Sequence, residues 1–221
     1  MLNIENNLIF QLLGYEKKYS MKLNKLISYL FHPILSPIIA TLVYLIILPR
    51  HTSQQLNIAI ITMVFIGTYL LPIFFMIFLK KSNAIETFHL ENVIERKMPV
   101  LLMVMVAYLL ATIIKNASSA MELALFFYGM TVGLIIAYLL IYKKFKISLH
   151  MLGIGGLLGF FIFVSYHYKL NLILLISFLF IIAGFIAISR IKLKAHTLKE
   201  VYLGFVVGLG SEIIVYVLYI I

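Results

Sequence analysis

The sequence predicts an all-α protein that forms a polytopic bundle of about seven transmembrane helices, either six or seven. Of its 221 residues, 63% are hydrophobic and only 12% carry a charge, and the mean hydropathy is +1.09. A soluble domain usually contains about 25% charged residues. Because no polar segment is long enough to bury a core of its own, we expect a single transmembrane domain over residues 21–221. An N-terminal extension of unknown role precedes it over residues 1–20.

Long apolar segments separated by short polar ones mark the individual helices. Apolar runs of about 18 or more residues are typical of membrane-spanning helices. The segments lie at residues 27–48, 56–79, 100–114, 121–142, 149–166, 170–188 and 201–220. The third segment is short, and we expect residues 100–142 to form a tight helical hairpin around the sequence KNASSAME.

Basic residues fall almost entirely on one side of this predicted topology. With seven spans, the N-terminus shares a side with the loops that follow helices two, four and six. That side holds fifteen of the eighteen Lys and Arg residues, and the other side holds only Arg50, Lys115 and Lys169. The positive-inside rule therefore predicts that these loops are cytoplasmic, in a protein of the bacterial cytoplasmic membrane.

Composition also narrows the classes of partner and chemistry. The formal net charge of +10 is explained by membrane topology and anionic lipid headgroups, so nucleic acid is not an expected partner. The absence of cysteine excludes disulfides, thiolate metal sites and cysteine nucleophiles. Membrane lipids are the partners that we expect.

The connection between the last two helices, SRIKLKAHTLKE, is unusually polar for this chain. A basic loop at a lipid headgroup layer accounts for its lysines, but not for Arg190, His196 and Glu200. On a helix, His196 and Glu200 would share one face at four-residue spacing, so that the carboxylate holds the imidazole in one tautomer. Gly204 and Gly208 continue this spacing and would allow another helix to pack closely.

Two further polar stretches lie on the same predicted side of the membrane. The sequence KISLHMLGIGG places Ser148 and His150 at the start of helix five, where free backbone amides favour an anion. The sequence HLENVIERKMP presents His89, Arg96 and Lys97 just before helix three. A guanidinium group at this position is suited to bidentate binding of phosphate.

Together, the three stretches resemble the type 2 phosphatidic acid phosphatase (PAP2) superfamily over about residues 80–210. The third motif of that family is S-R-x5-H-x3-D, and this chain matches it with Glu200 in place of Asp. The second motif is P-S-G-H, where this chain has Ile147 and Leu149 in place of Pro and Gly. The first motif is K-x6-R-P, where His89 replaces Lys and Pro99 comes two residues late.

The resemblance implies a metal-independent phosphatase of a lipid phosphate or diphosphate, with no cofactor. In that family the third-motif histidine attacks phosphorus and forms a phosphohistidine, which gives this role to His196. The family pattern makes Glu200 the group that orients it and His150 the general acid. The resemblance also implies a phosphate site built from basic and hydroxyl side chains: Arg190, Ser148, Arg96, Lys97 and His89.

Two alternatives remain open from the sequence. The departures in the first two motifs favour a catalytically degenerate PAP2-like protein that binds lipid, forms a homo-oligomer or serves as a scaffold subunit of a membrane complex. A small transporter or channel component would instead need polar residues at mid-membrane depth. The candidates are His32, which we interpret as part of a packing kink, and Glu212, which we interpret either as an interfacial carboxylate at the far end of the helix or as a hydrogen-bonded buried acid.

Overall fold

The computed structural model describes residues 21–47, 53–88, 90, 92–117 and 120–221, and the predicted N-terminal extension lies outside them. Within these ranges the secondary structure is helical, with no strand, and the predicted all-α bundle is confirmed. Seven helices are long and apolar enough to cross a membrane, so the chain is an integral membrane protein. They are α1 (Met21–Ile47), α2 (Gln54–Lys81), α3 (Ile94–Asn116), α4 (Met121–Tyr142), α5 (Leu149–Tyr168), α6 (Ile173–Lys192) and α7 (Leu198–Ile220).

Helix α1 is interrupted near its middle. It is α-helical over residues 21–30, passes through an extended residue at His32, and resumes as a 3-10 turn at Pro33–Leu35 and an α-helix at Ser36–Ile47. Proline lacks an amide hydrogen and disfavours helical geometry in the preceding residue, which explains the break. The Nδ1 atom of His32 then accepts a hydrogen bond from the amide of Ile34 at 3.4 Å.

Two helices extend further toward the polar loops than the apolar segments alone predict. Helix α3 begins at Ile94 rather than near residue 100, and α6 continues to Lys192 rather than ending near residue 188. The first turn of α3, Ile94–Arg96, is a 3-10 turn, and its α-helical part begins at Lys97. Pro99 therefore lies in the first α-helical turn, where proline is tolerated. Long basic side chains can bury their apolar stems while their charges reach the membrane surface. As a result, Arg96 and Arg190 lie on helix ends rather than in loops.

The closest helix pair in the bundle is α5 against α7. A Cβ atom added at Gly204 would overlap the carbonyl oxygen of Ser148, and one added at Gly208 would overlap that of Leu152. Gly155 on α5 is equally close to the backbone of α7 at Phe205. The predicted role of Gly204 and Gly208 in close helix packing is therefore confirmed, and this pair holds the polar ends of α5 and α7 together.

Aromatic packing fills the bundle beyond its middle, away from the α4–α5 and α6–α7 loops. The ring centroids of Phe126 and Phe160 are 4.9 Å apart, and those of Phe160 and Phe161 are 5.1 Å apart. All three side chains are buried. The interior space of the bundle therefore lies mainly in the half nearer the polar loops.

Candidate functional site

The turn between α6 and α7 places Arg190 and His196 side by side. Helix α6 ends at Lys192, and Lys194 then adopts a left-handed conformation with φ of 54°. This reversal lets the amides of Ala195 and His196 donate hydrogen bonds to the carbonyl oxygen of Arg190 at 3.1 and 3.3 Å. The polar connection is thus a tight helix-ending turn that fixes the backbone of two candidate site residues against each other.

His196 is oriented by the first turn of α7. Its Nδ1 atom lies 2.8 Å from Oε2 of Glu200, and the same oxygen accepts the amide hydrogen of Thr197 at 3.2 Å. The Thr197 hydroxyl oxygen in turn accepts the amide hydrogen of Glu200, which completes a capping box. His196 precedes the helix instead of lying on its face. Because a carboxylate only accepts, Nδ1 carries the hydrogen and Nε2 keeps a free lone pair.

The surroundings of His196 keep its imidazole neutral. Burial is the largest influence and lowers the pKa of His196 from 6.5 to about 4, against the hydrogen bond with Glu200, which raises it. The positive charges of Arg96, Arg190 and Lys146 also contribute to this lowering of the pKa. A neutral imidazole with a free Nε2 is the nucleophilic form, so these cations favour the reactive state and also attract an anion.

Helix α1 joins the second candidate histidine to Arg190 through Ser28. The guanidinium of Arg190 donates a hydrogen bond to the Ser28 hydroxyl, and Nε2 of His150 lies 3.2 Å from the Ser28 carbonyl oxygen. The carbonyl only accepts, so the hydrogen of His150 is on Nε2 in this contact. The ring of His32 packs edge-on against His150 with centroids 5.3 Å apart.

Ser189 anchors the same part of the bundle. Its hydroxyl is buried and donates a hydrogen bond of 2.6 Å to the carbonyl oxygen of Asn24 in α1. Asn24 lies four residues before Ser28, on the preceding turn of α1. Two successive turns of α1, before its break, therefore contact Ser189 and Arg190 at the end of α6.

A cavity of about 280 Å³ brings the candidate residues together. Four of its polar lining residues come from three predicted loop regions: Arg96, His150, Arg190 and His196. Most of the remaining wall is apolar, with Met76, Met103, Phe126, Met130 and Leu134 among its side chains. The cavity is thus cationic at its loop end, and the rest of its wall is mostly apolar apart from Ser36, Ser211 and Glu212. This arrangement suits a phosphate group attached to an apolar chain.

Two of the predicted phosphate ligands are not brought to this cavity. Ser148 is fully buried, donates its amide to the Glu200 carbonyl at 3.2 Å, and is not part of the cavity wall. The ammonium of Lys97 lies 4.7 Å from the ring centroid of Tyr142, also away from the wall. His89 falls outside the described residues. Among the residues that are described, no group of three His, Asp or Glu side chains is arranged to hold a metal ion.

No protein-family model, curated protein or solved structure matches this chain. The chemistry of the site is therefore argued from its own residues.

Four residues of the site were not assigned to it from the sequence. Ser28, His32 and Lys146 approach the motif residues through tertiary contacts that no local pattern announces. The fourth, Glu212, lines the cavity and is only 5% exposed, so it is not an interfacial acid. The interpretation of a buried acid is confirmed, but the Oε1 atom of Glu212 has no hydrogen-bond partner among the described residues, so the predicted hydrogen bond is wrong for this atom.

Proposed function

We propose that the protein is a PAP2-like, metal-independent phosphatase that acts on a lipid phosphate or diphosphate through a phosphohistidine. One observation carries the proposal: a neutral His196, oriented by Glu200 at 2.8 Å, shares a cavity with a second histidine and two arginines. A nucleophile, an orienting carboxylate, a proton donor and fixed cations are the groups that metal-free phosphoryl transfer requires.

The reaction follows from the atoms that each residue offers. Nε2 of His196 attacks phosphorus, the bond from phosphorus to the ester oxygen breaks, and the leaving oxygen takes a proton from Nδ1 of His150. His150 must enter this step doubly protonated, because its other hydrogen, on Nε2, is held by the Ser28 carbonyl oxygen. Water then attacks the phosphohistidine and transfers a proton to His150 while inorganic phosphate leaves. Arg96 and Arg190 stabilise the charge on the phosphoryl oxygens without having to reorganise during the reaction. Since Nε2 of His150 is held by Ser28, Nδ1 is the atom that we assign to proton transfer.

The substrate class follows from the two ends of the cavity. Its cationic end binds a phosphate, whereas its methionine- and leucine-lined wall accommodates an apolar chain. The surrounding helices are of membrane-spanning length, so a lipid phosphate can approach from the bilayer with its chains still in hydrocarbon. Membrane lipids are accordingly the proposed partners.

Phosphate release from lipid phosphates in detergent, with a metal chelator present, tests the proposal. The wild-type protein is expected to release phosphate, and His196→Ala is expected to abolish the release because the attacking atom is gone. His167→Ala is the matched control, because His167 lies at the opposite end of α5 and should leave turnover in place. Equal turnover by wild type and His196→Ala would contradict the phosphohistidine mechanism.

Binding of a lipid phosphate without turnover is a second candidate, favoured by one observation. Leu149 lines the cavity, at the position where the family motif has a glycine, so a side chain occupies space beside the phosphate end. This candidate predicts no release from any of a panel of lipid phosphates. It also predicts a phosphate-dependent thermal shift that Arg190→Ala removes. The first candidate requires release as well as binding.

We also propose that the cationic end faces the cytoplasm, in a bacterial cytoplasmic membrane, from the excess of basic residues on that side. Lys144 and Lys169 provide a matched test, since each is an exposed lysine with positive φ just after a helix, at opposite ends of the bundle. The chain has no native cysteine, so single-cysteine variants can be labelled cleanly. Lys169→Cys should react with an impermeant reagent on intact cells, and labelling of Lys144→Cys instead would reverse the orientation.

A further inference from the structure

A carboxyl group lies at the membrane-interior end of the cavity, and the proposed reaction does not use it. Glu212 lines the cavity on α7 and is only 5% exposed. Three glycines of the neighbouring helices surround its side chain, since Cβ atoms added at Gly129, Gly156 or Gly159 would contact it. These glycines leave the space that the carboxyl group occupies.

The position of Glu212 along the bundle gives its distance from the phosphate end. Its Oε1 atom lies 3.6 Å from the position of a Cβ atom added at Gly156, six residues along α5 from His150. Six helical residues correspond to about 9 Å. Both His150 and Glu212 line the same cavity, so one molecule can contact the phosphate-binding end and the carboxyl group at once.

Glu212 differs from the other buried carboxyl group of the described residues. Glu122 is equally buried, but its Oε2 atom accepts a hydrogen bond from Tyr44 at 2.8 Å. Within the described chain, Oε1 of Glu212 is buried and has no such partner. A buried polar atom without a partner is energetically costly, and this cost is relieved when a ligand supplies a hydrogen-bond donor.

We propose that Glu212 forms an inner subsite that accepts a hydrogen bond from a hydroxyl or amino group of the bound molecule. The ligands of the cavity are then phosphate esters with a hydrogen-bond donor about 9 Å from phosphorus, rather than phosphates of plain hydrocarbon chains. The inference rests on the proposed function for the phosphate end, and it adds the substrate class. Such a subsite makes recognition selective because an analogue without the donor leaves the carboxyl group unpaired.

Matched pairs of short phosphate esters test the subsite. Hexyl phosphate, 6-hydroxyhexyl phosphate and 6-aminohexyl phosphate differ only in the group at the far end of the chain. We expect kcat/KM for the wild-type protein to favour a donor-bearing ester by about two- to tenfold, the range for a single hydrogen bond. In Glu212→Met the ratio of kcat/KM for a donor-bearing ester to kcat/KM for hexyl phosphate should fall to about one. Equal preference in wild type and variant would overturn the proposal.

A conservative variant separates the two classes of donor. Glu212→Gln keeps a carbonyl oxygen that accepts from a hydroxyl, but it has no charge to attract an ammonium group. A hydroxyl-bearing ligand should therefore keep part of its preference in this variant, whereas an amine-bearing ligand should lose it. If Glu212→Gln keeps the full preference for both the hydroxyl-bearing and the amine-bearing ligand, a role for the carboxyl group is contradicted.

Stability distinguishes the subsite from a structural role. Replacing a buried carboxyl group whose Oε1 atom has no partner among the described residues by an apolar side chain of similar length should leave Tm unchanged or raise it. The matched change at Glu122 should lower Tm, because Tyr44 loses its partner. A lower Tm for Glu212→Met, with ligand preference unchanged, would show that Glu212 is structural.

The outcome does not depend on catalysis. If none of the esters is hydrolysed, the proposed phosphatase function fails, and ligand-dependent thermal shifts of wild type, Glu212→Met and Glu212→Gln still measure the preference for a donor. If all three esters are hydrolysed at equal rates by wild type and Glu212→Met, the phosphatase function stands and the inner subsite fails. If the three esters give equal thermal shifts in wild type and in both variants, Glu212 makes no contact with the ligand, and the proposal is overturned.

Discussion

Nδ1 of His196 lies 2.8 Å from Oε2 of Glu200, and that oxygen also accepts the backbone amide hydrogen of Thr197. The carboxylate that caps α7 is therefore the one that sets the tautomer of the candidate nucleophile. The Glu200 side chain thus both caps α7 and orients His196, and different substitutions of Glu200 can separate these two roles.

Glu200→Gln should reduce turnover far more than stability. Glutamine also serves at this position of a capping box, so Tm should change little. The amide cannot stabilise the imidazolium character that develops on His196, so we expect kcat to fall by about a hundredfold or more. Glu200→Ala, which also removes the cap, should in addition lose about 1 kcal/mol of stability. An unchanged kcat in Glu200→Gln would contradict the orienting role.

Ser28→Ala should weaken phosphate binding without unfolding the protein. The hydroxyl of Ser28 accepts from the guanidinium of Arg190, while its backbone carbonyl, which contacts His150, is retained in the variant. Because Arg190 would lose a positioning contact, we expect KM for a lipid phosphate to rise by about tenfold, with a smaller change in kcat.

Thr41→Ala is the control for Ser28→Ala. Thr41 is a buried hydroxyl residue of the same helix whose bond goes to the carbonyl of Pro37, 2.8 Å away. Its loss should leave KM unchanged. A similar rise in KM in both variants would mean that the effect of Ser28→Ala comes from general loosening of α1.

Gly208→Ala should destabilise the bundle because its new Cβ atom meets the backbone of α5 at Leu152 and Gly156. Overpacking of this kind costs about 1–3 kcal/mol. A Cβ atom added at Gly210, two residues later on the same helix, has no neighbour within 4 Å. Gly210→Ala should therefore be neutral or stabilising by about 0.5–1 kcal/mol, from helix propensity alone. Thermal unfolding in detergent compares the two, and an equal loss of Tm would contradict the close α5–α7 contact.

Acid should destabilise the protein partly through His196. The pKa of His196 is about 4 in the folded protein because of burial, against an ordinary value of 6.5. Between these values the unfolded chain binds more protons, so the contribution of His196 to stability is full above pH 6.5 and is lost as the pH falls toward 4. His196→Gln should flatten the dependence of Tm on pH across this window. A profile that is unchanged in His196→Gln would contradict the assignment.

The sequence predicted those features that depend on local composition and spacing. Apolar runs located all seven helices, including the short third one. The four-residue spacing predicted that His196 contacts Glu200, but the contact forms at the capped start of α7, before the helix, and not along a helix face. The ends of α3 and α6 were placed less well, because Arg96 and Arg190 look like loop residues by hydropathy but lie on helices. Hydropathy does not register apolar stems that allow a charged residue to continue a helix.

The remainder of the site depends on tertiary contacts. Ser28 touches Arg190 across 162 residues of sequence, and nothing near Ser28 signals this partner. Ser148 and Lys97 lie beside the motif residues in sequence, yet they point to other parts of the bundle. Glu212 stands out in the sequence as a charged residue within an apolar helix, but only the glycines of α4 and α5 reveal that other helices enclose it.

The most direct test of the account is to locate the phosphoryl group on the protein during turnover. A lipid phosphate with a labelled phosphoryl group is mixed with the enzyme, the reaction is stopped within a single turnover by alkaline denaturant, and the labelled peptide is mapped. The account predicts an acid-labile label on His196, the residue whose Nε2 keeps a free lone pair, and no label in His196→Ala. A label on another residue, or phosphate release in a single turnover with no labelled protein, would contradict it.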